Sequence, residues 1–211
     1  EPFRHLRENS HFVFEAHAAI VALLARLVKR EYFGPVSVAS NEECAMQKIS
    51  PFLWFNDQAE EAAEYYVSIF TNSRIVNVSR FPSTTPGYAG RPGHAMSVTF
   101  ELDGLEVQAL NGGPSFSFTE AISLFVHAET QPEIDDLWAK LSAGGRESQC
   151  GWLQDKFGLS WQITPSVLEQ LLSDPDPARA GRVMQAMLAM SKIDIALLRA
   201  AADTEKPSDS E

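Results

Sequence analysis

The sequence predicts an α+β fold made of two successive modules, each a strand, a helix and three further strands, followed by C-terminal helices. Three observations carry this. The apolar periodicity switches between the strand value of two and the helical value of about 3.6 in the same order twice along the chain. Asp103-Gly104, a dipeptide suited to a two-residue hairpin turn, separates two alternating runs in the first half. In the second half, Cys150–Thr164 reads as a hairpin in its own right, with Gly158 free to take positive φ at its turn.

Pro51 to Phe55 is a short apolar strand. Asp57 stands in N-cap position with Glu60 in capping-box register, and Ala59, Ala62, Ala63, Tyr66 and Phe70 recur at helical spacing. Strands are predicted over Arg74–Phe81, Ala95–Leu102 and Leu105–Leu110. The order then repeats, with a strand over Ala121–His127 and a capping box of Thr130 and Glu133. Ile134, Leu137, Trp138 and Leu141 line one helix face, and Gly144-Gly145 supplies the stop.

In the closing hairpin, Leu159, Trp161 and Ile163 share one face, and Ser160, Gln162 and Thr164 share the other. Such an arrangement suits a core on one side and either solvent or a cavity on the other. Asp155 begins the turn. Beyond Pro165, Ser166 and Glu169 form a capping-box pair, and Asp176 caps a helix with Pro177 in its first turn. Val183, Met184, Met187, Leu188 and Met190 give an apolar stripe, read as core or subunit contact. Ile193, Ile195, Leu197 and Leu198 continue it after a break near Lys192-Ile193-Asp194.

Four units follow: residues 1–45 as an N-terminal extension, 46–165 as the two-module domain (about 46–114 and 115–165), 166–202 as C-terminal helices, and 203–211 as a polar, disordered tail. Residues 1–45 read either as a segment upstream of a native start at Met46 or as a helical arm, Phe12–Phe33, stopped by Gly34-Pro35. The segment Ser83–Gly93, with Pro86, Gly87, Gly90 and Pro92, reads as a mobile loop and a candidate lid.

Composition narrows the function classes. Seventeen basic against 28 acidic residues leave a net charge of −11, which argues against a nucleic-acid surface. Two cysteines, Cys44 and Cys150, do not make a disulfide scaffold and fit a cytoplasmic setting. The longest apolar run, Ala18–Ala25, falls short of the roughly 20 residues a membrane span needs.

Four stretches carry a family resemblance. They are Ile49-Ser-Pro-Phe-Leu-Trp-Phe-Asn-Asp-Gln-Ala-Glu-Glu-Ala with Tyr65-Tyr66, Ala109-Leu-Asn-Gly-Gly-Pro-Ser-Phe-Ser-Phe-Thr-Glu-Ala-Ile-Ser, the Cys150–Pro165 hairpin, and Met187-Leu-Ala-Met-Ser-Lys-Ile-Asp-Ile-Ala. Together the chain resembles the PhnB-like branch of the vicinal oxygen chelate superfamily, which includes glyoxalases and bleomycin-resistance proteins. That branch often carries the label 3-demethylubiquinone-9 3-methyltransferase domain. The resemblance implies that the paired βαβββ modules form a curved sheet around a cup, and that the protein is a homodimer.

Enzymes of that superfamily usually hold a divalent metal through His and Glu on the first and last strands of both modules. The matching strands here offer Pro51, Phe52, Leu53 and Trp54, none able to ligate, then Gln108 and Asn111 with Glu106 nearer the strand's start, then Ser123, then Gln162. Amide and hydroxyl oxygens are weak, neutral donors, so no cofactor is expected, with a divalent metal as the minor alternative. His127, alone at a strand end, reads as solvated, and Cys150 as an inert buried thiol rather than a nucleophile. Asn111-Gly112-Gly113 either makes a tight exit turn or aims the Asn111 amide into the cup. The loop follows a hairpin strand and precedes no amphipathic helix, which disfavours a methyltransferase. The expected cup lining is Trp54, Gln108, Asn111, Phe116, Phe118, Ser123, Trp152 and Gln162. That lining suits an apolar or aromatic small molecule fixed by a few hydrogen bonds. The leading reading is thus a small-molecule-binding protein. The alternative is a metal-dependent lyase, isomerase or dioxygenase-like enzyme of the same superfamily.

Overall fold

A computed structural model of the chain describes residues 48–82 and 93–204. The readings of residues 1–45, of most of the candidate lid and of most of the tail lie outside them. Module one comprises β1 (Phe52–Phe55), α1 (Ala59–Ile69), β2 (Arg74–Arg80), β3 (Ala95–Leu102) and β4 (Leu105–Asn111). Module two comprises β5 (Ser123–Ala128), α2 (Gln131–Ser142), β6 (Arg146–Glu147), β7 (Trp152–Gln154) and β8 (Ser160–Pro165). Helices α3 (Ser166–Leu172), α4 (Pro177–Leu188) and α5 (Ile195–Asp203) follow. The α+β class and its order match the sequence reading.

Each module forms one mixed, open, four-stranded sheet, ordered β1-β4-β3-β2 and β5-β8-β7-β6. In each, the first strand runs parallel to the last, Phe52 opposite Gln108 in one and Ser123 opposite Ser160 in the other. The remaining pairs are antiparallel. Asp103 and Gly104 both take positive φ (46° and 84°), the geometry a two-residue hairpin turn demands.

One face of each sheet packs on its helix. In module one Leu53, Phe55, Val107, Ala109, Val98 and Phe100 meet Ala59, Ala62, Ala63 and Tyr66 of α1. Three alanines on that helix face let its backbone approach the sheet closely. In module two Leu153, Trp161 and Ile163 meet Ile134, Leu137, Trp138 and Leu141 of α2. Burying a side chain such as Phe100 or Ile163 stabilises by about 1.5–3 kcal/mol.

The two helix-bearing faces merge into one core. Tyr66 of α1 lies edge-on to Trp161 of β8 (centroids 5.2 Å apart), and Phe70 stacks on the same indole at 5.4 Å. Tyr65 and Tyr66 both meet Phe157 of the β7–β8 turn. Asp155 begins that turn as expected and does more. Its Oδ1 accepts from the Phe157 and Leu159 amides, and its Oδ2 accepts from Trp161 Nε1 (2.8 Å) and Tyr66 Oη (2.7 Å).

Two predicted caps are corrected. Asp57 does not cap α1. Asn111 does, accepting from the Ala59 amide at 2.8 Å, while Glu60 is drawn aside to Arg80 at 2.6 Å. Ser166 does not cap α3; it lies inside the first turn and donates its hydroxyl to Glu129. Thr130, Asp176 and Asp194 do cap α2, α4 and α5. The fifth strand begins at Ser123, leaving Ala121 and Ile122 in the linker.

The methionine stripe is internal. Val183 and Met187 of α4 join Leu168, Ile193, Leu198 and Ala202 in a second small core, with Met184, Leu188 and Met190 packed on it. Leu197, expected to extend that stripe, is exposed. Among the described residues no helix is long and apolar enough to cross a membrane.

Candidate functional site

Alternation leaves one face of each sheet without a helix. On the first sheet it carries Phe52 and Trp54 of β1 beside Gln108 and Leu110 of β4, in register. Phe52 is 58% exposed. The Trp54 indole folds over the exit of β4, donating from Nε1 to Gly113 O at 2.9 Å and meeting Phe116 edge-on at 5.0 Å. A Cβ on Gly112 would fall 2.2 Å from that ring, so the glycine provides the slot in which the indole lies.

On the second sheet the corresponding face carries Ser123 and Phe125 of β5, Ser160 and Gln162 of β8, and Trp152 of β7 opposite Gln162. Gln162 Nε2 donates to Ser123 Oγ at 2.8 Å, so the two residues at the expected ligand positions hold one another. Phe125 is 47% exposed, and the His127 ring tilts against it at 4.9 Å. Alternation marks Ser160 only as a member of the polar face. Its hydroxyl is fully buried without a hydrogen-bond partner, beside the Ser123–Gln162 pair in register. Its alternation with Trp161 was the signal for its side; nothing in the sequence marks its lack of a partner.

Two expected lining residues lie elsewhere. Asn111 points to the helix side, where Oδ1 caps α1 and Nδ2 donates to Ala95 O at 2.9 Å. Both ends of its amide are used in holding the helix, and it borders a polar cleft of about 290 Å³ with Glu60, Arg80 and His94. Phe118 packs edge-on against Phe55 at 5.2 Å and belongs to the core between modules. The structure therefore gathers Trp54 and Gln108 on one sheet, with Phe116 of the linker against Trp54, and Ser123, Trp152 and Gln162 on the other.

The donor set does not fit the divalent metal that the superfamily's enzymes hold. Among the described residues no three His, Cys, Asp or Glu side chains converge. Gln162 and Ser123 are neutral and already paired. Cys150 is half-buried against the second core, and burial pushes its thiol above the usual range, which disfavours the thiolate a nucleophile needs.

Two paired βαβββ modules with open, helix-free sheet faces define the vicinal oxygen chelate architecture. Residues 47–164 match the family described as 3-demethylubiquinone-9 3-methyltransferase, and the chain belongs to that family, the PhnB-like branch of the superfamily. A solved structure from Bacillus cereus, described as a putative 3-demethylubiquinone-9 3-methyltransferase, PhnB protein, is 39% identical. The match covers 57% of this chain and 100% of that one, with a TM-score of 0.53. The protein PA1353 from Pseudomonas aeruginosa is 19% identical over 56% of this chain and 97% of its own, with a TM-score of 0.48. The fosfomycin resistance protein FosX from Listeria monocytogenes is 15% identical over 62% and 99%, with a TM-score of 0.45. Comparison with curated proteins gives no match.

Proposed function

We propose that the chain binds a small apolar or aromatic molecule against its helix-free sheet faces, and that a second copy covers those faces in a homodimer. The observation that carries the reading is the Ser123–Gln162 pair, a polar couple set on an aromatic surface where metal ligands would otherwise stand. Phe52 and Phe125 leave large apolar area in water on both sheets, which favours coverage by ligand or partner. Gln162, opposite Trp152, offers a ligand an amide that can both donate and accept beside an indole face.

The family description speaks of methyl transfer. In the glycine loop that invites that label, Gly112 packs on the Trp54 indole and Gly113 O accepts from the same ring. A binding role accounts for this site without a methyl donor.

The test is a thermal-shift screen of aromatic and apolar small molecules against the wild type and Gln162→Leu. A ligand at about 100 times its Kd adds about 2.7 kcal/mol of stability, which is several degrees. A hit that loses its shift in Gln162→Leu supports the reading. A broad panel that moves neither protein defeats it.

A further inference from the structure

The family match ends at residue 164, and α3–α5 follow it. These helices have a core of their own, yet their polar links converge on two neighbouring places in module two. The first is the corner between β6 and β7, where Cys150 and Gly151 take successive positive φ values of 59° and 82°. Their amides point out of the hairpin and donate to Met190 O and Ser191 O, both at 2.8 Å. Gly151 O accepts from the Ile163 amide at 2.8 Å, so the corner is also part of the β7–β8 hairpin. A Cβ on Gly151 would fall 2.6 Å from Ile163 O and 3.2 Å from Ile193 Cγ1, so the fit leaves no slack.

The second place is the start of α2. Gln131 donates from Nε2 to Ile193 O at 3.1 Å and accepts at Oε1 from the Ile195 amide at 2.9 Å. Lys192 pairs with Asp135 one turn along. The segment Met190–Ile195 is therefore held on both sides, by the corner and by α2.

We infer that this C-terminal segment is a clamp on the corner, and that it fixes Trp152 opposite Gln162 and so controls the binding face. Trp152 directly follows Gly151, and its partner Gln162 directly precedes Ile163. A shift of the corner therefore moves both side chains of the pair. Gln131 is the positioning residue. The functional part rests on the binding reading above; the clamp itself does not.

Gln131→Ala removes the bridge without touching the corner, and Gln131→Glu keeps the acceptor for Ile195. Amide hydrogen exchange reads the clamp. Exchange at Cys150 and Gly151 is expected to rise about tenfold in Gln131→Ala, less in Gln131→Glu, and to stay unchanged at Leu159 in the distant turn. Indole, an aromatic probe with one N–H donor, is titrated in parallel and followed at the Gln162 side-chain amide by NMR. Its Kd should weaken about threefold in Gln131→Ala and recover partly in Gln131→Glu. Faster exchange at Ile195 with an unmoved corner overturns the clamp. A loosened corner with unchanged indole affinity overturns its control of the face. A wild type that gives no indole response at Gln162 counts against the binding reading, while the exchange arm still decides the clamp.

Discussion

Tyr66 donates its hydroxyl to Asp155 at 2.7 Å across the seam between the two modules. This bond joins a helix of module one to the hairpin turn of module two, and Asp155 is 97% removed from solvent there (3% exposed). Four donors converge on one carboxylate: two amides, an indole and a phenol. Asp155→Ala would strand all four. Each buried donor left unpaired costs about 1–3 kcal/mol, so a loss of about 3–5 kcal/mol is expected after relaxation, read by urea unfolding. A change under about 1 kcal/mol would show that the seam does not depend on this group.

The same carboxyl gives a pH dependence. Burial raises the Asp155 pKa above its ordinary value, outweighing the donors, which lower it. The folded state therefore binds this proton more tightly than the unfolded state. The resulting stabilisation is full below the ordinary carboxylate pKa and is lost as pH rises through the raised one. The stability of wild type minus Asp155→Asn should accordingly fall with rising pH across the acidic range. A flat difference would contradict the raised value.

Asn111→Leu should destabilise by about 1–2 kcal/mol, because α1 loses its cap and Ala95 O loses a donor. Asn111→Asp keeps the cap and should recover part of that loss. Ligand affinity should be unaffected in both, since the amide faces the helix. Thermal unfolding and titration with a screening hit check the two halves separately.

Gly112→Ala forces a methyl into the Trp54 indole and should cost about 1–3 kcal/mol. The displaced ring would lose its bond to Gly113 O, so the tryptophan emission should shift to longer wavelength. An unchanged spectrum and stability would mean that the linker yields instead.

Protein expressed without an affinity tag, loaded with manganese, nickel or zinc and then dialysed, should retain well under one ion per chain by elemental analysis, because neutral amide and hydroxyl donors bind such ions weakly. Near-stoichiometric retention would put the metal-dependent enzyme, the alternative reading, ahead of the binding protein.

The fold was legible in the sequence because its signals are local. Asp103-Gly104, Thr130 with Glu133, and the alternation through Trp161, Gln162 and Ile163 each specify an element within a few residues. The site was half legible for the same reason. Alternation sets Trp152 and Gln162 on one face. It does not reveal that Asn111 serves a helix 52 positions away, or that Glu60 prefers Arg80 to a cap. Asp57 had the right spacing for a cap and lost the place to Asn111, brought in by tertiary packing, whereas Ser166 falls inside the first turn of its helix and bonds Glu129. Phe118 lies in a linker without period, so only the packed structure assigns it to the seam.

Joining the modules through their helix faces separates two selective demands. The residues that keep the chain folded, Tyr66, Asp155 and Trp161 among them, lie on the side opposite Gln162, Ser123 and Phe125. If those outer faces bind as proposed, substitutions on them should alter which molecule is accepted while being nearly neutral for stability. Such a scaffold can change its chemical diet without re-learning how to fold.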